Sequence, residues 1–191
     1  MQYVILAAGM GTRLSPLTND RIHKCLFEYQ GKPLISHFLE KLTQQDNITI
    51  VVGHLKEQVI EKITSNFPNL NISFIENPDY KTTGTSHSLW LAKEHAKEGF
   101  IYANADLVPD PRFFEDLKKE GNIIFVDKND LFRNNLIKFS KQTTQELFNL
   151  PHRKEESAYD RIFKIIGHNH FHHIDISNYK WKEIDEPTDL K

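Results

Sequence analysis

Short apolar runs of strand length recur along this chain, and segments with helical spacing lie between them. "QYVILA" (2–7), "ITIVVG" (48–53), "GFIYANAD" (99–106) and "NIIFVD" (122–127) read as strands buried on both faces,. "LNISFIEN" (70–77) alternates as a strand, and Asn77-Pro78-Asp79 breaks it,. Between them, 33–44 places Leu34, Ile35, Phe38, Leu39 and Leu42 on one helical face, with Pro33 suited to the first turn,. Helical segments are also expected over 55–65, over 86–97 with Ser86 as N-cap, and over 111–120,. Strands that alternate with helices predict an α/β fold. The form expected is a single Rossmann-like domain with a mostly parallel central sheet and helices on both faces.

Beyond Asp127 the pattern is less regular. Strands are expected at 135–140, 171–177 and 179–185, a helix at 158–166, and a final helix opening at "EPTDLK". A length of 191 residues suits one well-packed domain,. The net charge of −2 and the lack of a basic run exclude bulk attraction to nucleic acid,. No apolar stretch reaches the roughly 20 residues of a membrane span, and the N-terminus lacks a secretory pattern. Cys25, the one cysteine, is expected as a small buried thiol in a reducing, cytoplasmic setting,.

The first strand feeds "ILAAGMGTRLSPLT" (5–18), a loop with two glycines two apart. In an open parallel sheet this is where ligands bind, and glycines let backbone N–H groups approach an anion. A dinucleotide fingerprint would need a third glycine where Leu14 stands, and Pro16 interrupts the helix such a loop feeds. An ATPase-type loop needs Gly-Lys-Ser/Thr, which does not occur,. What remains is Ala-Gly-x-Gly-x-Arg, with Lys24 downstream in "IHKCLFEYQGKPLI".

"LAAGMGTRLSPLT", then "HKCL", then "GKPLI", in that order and spacing, resembles the nucleotidyltransferases that join an NTP to a phosphorylated small molecule. These include sugar-1-phosphate nucleotidylyltransferases and bacterial phosphocholine cytidylyltransferases. "NPDYKTTGTSHSLWLAKE" (77–94) is more similar to the phosphocholine-type branch, and the resemblance returns at "KWKEIDEPTDLK". It implies a GT-A-like nucleotidyltransferase fold, with an NTP-binding part over 1–110 and a smaller acceptor-binding part over 127–180. Leu6, Ala7, Ala8 and Gly9 at the strand end, then Gly11, Thr12 and Arg13, would hold the nucleotide. Lys24 would join them, with Thr83, Gly84 and Ser86 offering donors to base and ribose. Arg13, Lys24 and Asp106 are the expected catalytic residues, and Asp106 and Asp185 the ligands of Mg2+. The partners implied are CTP, or another NTP, and a small phosphorylated or phosphonylated acceptor such as phosphocholine. Neither nucleic acid nor a membrane is expected as a partner, and the chain could form a homodimer.

These residue types suit the chemistry. Magnesium takes one or two carboxylates plus substrate phosphate oxygens, and a guanidinium grips two phosphate oxygens at once. Asp110 and Asp127 lie in loops outside any matching motif, and Lys32-Pro33 reads as a turn into a helix. Two alternatives stay open: transfer to a sugar 1-phosphate, and a nucleotide-binding domain without turnover. Arg13, Lys24, Asp106 and Asp185, all present, speak against the second. Tyr80, Trp90, Tyr102, Tyr159, Tyr179 and Trp181 could cage a quaternary ammonium, though scattered aromatics more often fill a core,. His168, His170 and His172 would share one face of a strand, a spacing that matches no familiar metal motif,.

Overall fold

A computed structural model describes residues 1–128 and 136–190 of the chain. Its strands are β1 (Gln2–Ala7), β2 (Glu28–Tyr29), β3 (Lys32–Pro33), β4 (Asn47–Val52), β5 (Asn71–Glu76) and β6 (Phe100–Asn104). They continue with β7 (Leu107–Val108), β8 (Asn122–Val126), β9 (Leu136–Phe139), β10 (Phe171–Asp175) and β11 (Lys182–Glu183). The helices are α1 (Ser15–Thr18), α2 (Leu34–Leu39), α3 (Lys56–Asn66), α4 (Thr85–Leu91), α5 (Arg112–Asp116), α6 (Lys141–Asn149) and α7 (Ala158–Ile166).

Seven strands form one sheet in the order β10-β8-β9-β6-β1-β4-β5. All pairs are parallel except those of β9, which runs antiparallel to both β6 and β8. The two-residue period of β1 sends Tyr3, Ile5 and Ala7 into one apolar cluster and Val4 and Leu6 into the other,. On the first face α2, α3 and α5 contribute Phe38, Leu39, Ile63 and Phe113; on the second, α4, α6 and α7 contribute Leu89, Leu147 and Ile162. Helices thus cover both faces, as the alternating pattern requires.

Several boundaries differ from the sequence reading, each for a local reason. Helix α2 stops at Leu39 instead of continuing to 44, and i→i+3 bonds from Lys41 and Leu42 tighten the exit. Asp46 draws this segment away by accepting from the Thr43 N–H at 2.9 Å and from the Met1 ammonium at 2.7 Å,. Helix α4 begins at Thr85, with Gly84 in the N-cap place expected of Ser86, and unwinds into turns after Leu91. The strand expected over 179–185 shrinks to β11, which pairs antiparallel with β7. Asn135, the first residue of another expected strand, lies outside the described residues.

The stretch after Asp127 is more regular than its composition implied. Helix α6 was not foreseen, because its buried face is built from Thr143 and Thr144 beside Leu147 and so shows little apolar periodicity. Residues 150–157 then form a strap laid against α4. Gly84 N–H donates to the Lys154 carbonyl at 2.7 Å, Ser86 N–H to Glu156 at 3.1 Å, and Ala158 N–H to Thr85 Oγ1 at 2.7 Å. The fully buried Arg161 holds the strap from α7, donating to the Leu150 carbonyl at 2.9 Å and facing Glu156 at 3.5 Å.

A Cβ on Gly84 would lie 2.1 Å from the Glu156 carbonyl oxygen, which is backbone and cannot swing aside. Gly84→Ala should therefore cost about 2 kcal/mol by overpacking. For a chain of this size that lowers the melting temperature by about 4–8 °C. Calorimetry checks this, and an unchanged melting curve would mean that the strap is not seated against α4.

Candidate active site

Strand β1 pairs with β4 on one side and β6 on the other, so the crevice beyond the carboxyl ends of β1 and β6 is the sheet's topological switch point,. A pocket of about 250 Å³ opens there. The glycine loop forms one wall. Gly11 takes a left-handed conformation, φ 63°, and a Cβ there would meet Lys24 Cβ at 2.7 Å. Glycine is therefore what lets the loop lie directly on Lys24. Among the described residues, no protein acceptor meets the backbone N–H groups of Gly9, Met10 or Gly11.

The opposite wall is acidic. Asp106 follows β6, and its carbonyl accepts from Ile184 N–H at 3.2 Å, which draws the segment after β11 alongside. Asp189 closes that turn, accepting from the N–H groups of Asp185 and Glu186 at 2.8 and 2.9 Å. Asp106, Glu183 and Asp185 then each offer an oxygen within 4.8 Å of one another, and among the described residues no other group of this kind occurs. Lys24 Nζ donates to Asp106 Oδ2 at 2.5 Å and also to Asp185, while Arg13 Nη2 reaches Asp185 Oδ2 at 2.8 Å. Burial pushes the Asp106 carboxyl above its usual range, although the Lys24 ammonium opposes this,. Burial would lower Lys24, but Asp106 and Asp185 outweigh it and hold its pKa up.

Asp106 Oδ1 is buried and has no hydrogen-bond partner. Such an orphaned carboxylate oxygen is costly, and a divalent cation shared with Glu183 and Asp185 would satisfy it. The donor set is all oxygen, which suits magnesium.

Of the nucleotide residues named from sequence, Leu6, Ala7, Ala8, Gly9, Gly11, Thr12, Arg13 and Lys24 line this pocket together with Asp106 and Asp185. Thr83, Gly84 and Ser86 do not. Thr83 Oγ1 donates to the Asp79 carbonyl, and Gly84 and Ser86 spend their N–H groups on the strap. From the same stretch it is Thr85 and Ser88 that face the pocket. Sequence reasoning also missed His23, Asn104 and Glu183 in the lining. Glu183 had a signal: it stands two residues before Asp185, on the same side of an extended chain.

The six aromatics do not gather. Tyr102 donates to Asn104 at 2.8 Å, Tyr179 to Asp116 at 2.6 Å, and Trp90 stacks on His152 with ring centroids 4.5 Å apart. No Phe, Tyr or Trp lines the pocket among the described residues. His168 precedes β10 in a turn, so the three-histidine face does not form; the rings of His170 and His172 lie 5.0 Å apart. Asp110 is occupied by Arg112 at 2.7 Å, and Cys25 is buried.

A model of the MobA-like NTP transferase domain matches residues 3–169. The chain belongs to this family. It is 29% identical over 223 residues to the bifunctional protein GlmU of Methanococcus maripaludis, covering 100% of this chain and 53% of the relative. It is also 34% identical over 116 residues to the CMP-5'-(3-aminopropyl)phosphonate synthase of Streptomyces rubellomurinus, covering 60% of this chain and 18% of that one. The chain thus spans about half the length of GlmU and less of the synthase. The solved structure of CTP:phosphocholine cytidylyltransferase (LicC) from Streptococcus pneumoniae shares the fold. Its TM-score is 0.83 at 20% identity, over 98% of this chain and 95% of that one. The described residues contain no helix long and apolar enough to cross a membrane.

One member of the lining titrates far from its ordinary value. Burial, then the nearby His54 and Lys24, lower the His23 pKa to about 4, despite a hydrogen bond to Gly9. In an unfolded chain this ring protonates near the ordinary histidine value of 6.5. Between those values the unfolded state binds more protons, so stability from this group is complete above the upper value and lost as pH falls toward the lower one. The loss from pH 7 to 5 is about 2 kcal/mol. His23→Gln should show a correspondingly smaller drop in melting temperature across that interval, measured by calorimetry in matched buffers.

Proposed function

We propose that this chain is a metal-dependent nucleotidyltransferase. It transfers CMP from CTP to a small phosphorylated or phosphonylated acceptor and releases pyrophosphate. The observation that carries this reading is the juxtaposition, in one pocket, of unpaired loop amides, two cations and three carboxylates, one of which has a buried oxygen without a partner. The family supports nucleotidyl transfer; the phosphonate relative, by its name, supports CMP.

In the reaction, an anionic oxygen of the acceptor forms a bond to the α-phosphorus while the bond to the pyrophosphate oxygen breaks in line. The acceptor is already largely ionised at neutral pH, so no strong general base is needed. Positioning and charge neutralisation carry the rate. Arg13 holds the leaving pyrophosphate. Lys24 turns from the carboxylates to the α-phosphate. Asp106, Glu183 and Asp185 would hold Mg2+, which when bound would neutralise charge developing on the phosphates,. Thr85 and Ser88 take up the nucleoside side, on a segment braced by the strap.

The second reading, transfer to a sugar 1-phosphate, is supported by the name of a Haloferax volcanii relative, UTP--glucose-1-phosphate uridylyltransferase AglF, which is 31% identical over 122 residues and 63% of this chain.

Pyrophosphate release with Mg2+, each NTP in turn and a panel of acceptors tests the proposal. The panel holds phosphocholine, 2-aminoethylphosphonate, phosphoethanolamine and several sugar 1-phosphates. Release with CTP and a small phosphonate or phosphate ester is expected, whereas release only with a sugar 1-phosphate moves the assignment to the second reading. Asp106→Asn should lower turnover by at least about a hundredfold, the scale of losing a key electrostatic group. Its melting curve should stay near that of the wild type, because burial already disfavours the charged carboxylate. Full activity in this variant would remove Asp106 from the metal site.

A further inference from the structure

His23 is 3% exposed, lines the pocket and has both ring nitrogens engaged. Nδ1 accepts from the Cys25 backbone N–H at 3.1 Å, so that nitrogen carries no proton,. The ring proton therefore sits on Nε2, 3.1 Å from the Gly9 carbonyl oxygen, to which it donates,. The histidine is itself anchored on α3. Its backbone N–H donates to Gln58 Oε1 at 2.9 Å, and Gln58 Nε2 donates onward to the Arg21 carbonyl at 2.9 Å.

The group it holds is one that needs holding. Nothing lies within 4 Å of where a Gly9 side chain would begin, so no packing pins the Gly9 backbone from that side,. Rotating the Gly9–Met10 unit would exchange the places of a carbonyl oxygen and an N–H, which point opposite ways across a trans peptide. An oxygen in place of a donor repels phosphate.

We propose that His23 is a positioning residue for the nucleotide, whose Nε2–H fixes the Gly9 carbonyl and so keeps the glycine loop in its anion-binding form. This rests on the nucleotidyltransferase reading. The plainer role for His23 is to cap the turn at Lys24–Leu26 through the Cys25 N–H. Two substitutions separate the roles. His23→Asn can keep the acceptor for Cys25 but is too short to reach Gly9. His23→Gln extends an amide toward the position of Nε2 and restores the donor.

The test is titration calorimetry of full-length wild type and both variants with CTP and Mg2+, or with whichever NTP the wild type binds most tightly, alongside melting curves. His23→Asn should weaken nucleotide binding about tenfold, as expected for one lost buried hydrogen bond, while His23→Gln stays within about threefold of wild type. Unchanged affinity in His23→Asn overturns the proposal. So does an equal loss of affinity and of melting temperature in both variants, which would assign His23 to folding alone. A wild type that binds none of the four NTPs overturns the nucleotidyltransferase reading, and this inference with it.

Discussion

Lys24 between Asp106 and Asp185 is the contact on which the site depends. It joins three segments far apart in the chain: the turn after the glycine loop, the end of β6, and the residues after β11. Two carboxylates drawn partly out of water repel each other, and desolvation penalises each charge unless a cation answers it. The Lys24 ammonium supplies that answer, and Arg13 adds a second from the solvent side. The short β7–β11 pairing and the Asp189 turn, anchored by the buried Leu107 and Ile184, bring Asp185 to Asp106. A buried ion network of this kind contributes little net stability.

Much of this was legible in the sequence, unevenly. Strands β1, β4, β6 and β8 announced themselves because burial on both faces forces an unbroken apolar run. Helix α6 stayed hidden because threonines fill its buried face, and β9 could not be seen as antiparallel because direction leaves no mark on a single strand's composition. The glycine loop, Arg13, Lys24, Asp106 and Asp185 were found by motif and are brought together in space. Gly84 and Ser86, named from the resemblance, spend their N–H groups on the strap, while positions three apart on α4, Thr85 and Ser88, share the pocket-facing side,. His23 was passed over because a ring beside a motif lysine shows nothing in sequence of the carbonyl it meets.

The pocket's charges would couple phosphate and metal binding in the proposed reaction. Three carboxylates face two fixed cations, and those cations are already committed to the carboxylates. A triphosphate entering the proposed site draws Arg13 and Lys24 to itself, since phosphate oxygens offer guanidinium and ammonium more charge than a carboxylate does. That exchange strips the acidic group of its counter-charges. Carboxylates in such a place would then take up protons or a cation, and a magnesium ion held by Asp106, Glu183 and Asp185 would meet that need,. Nucleotide and metal would then each relieve a cost that the other creates, so their binding would be mutually reinforcing. On this view the ion pairs around Lys24 are a placeholder. They keep the carboxylates close together without the ligand, and they are weak enough in net free energy to be given up when it arrives.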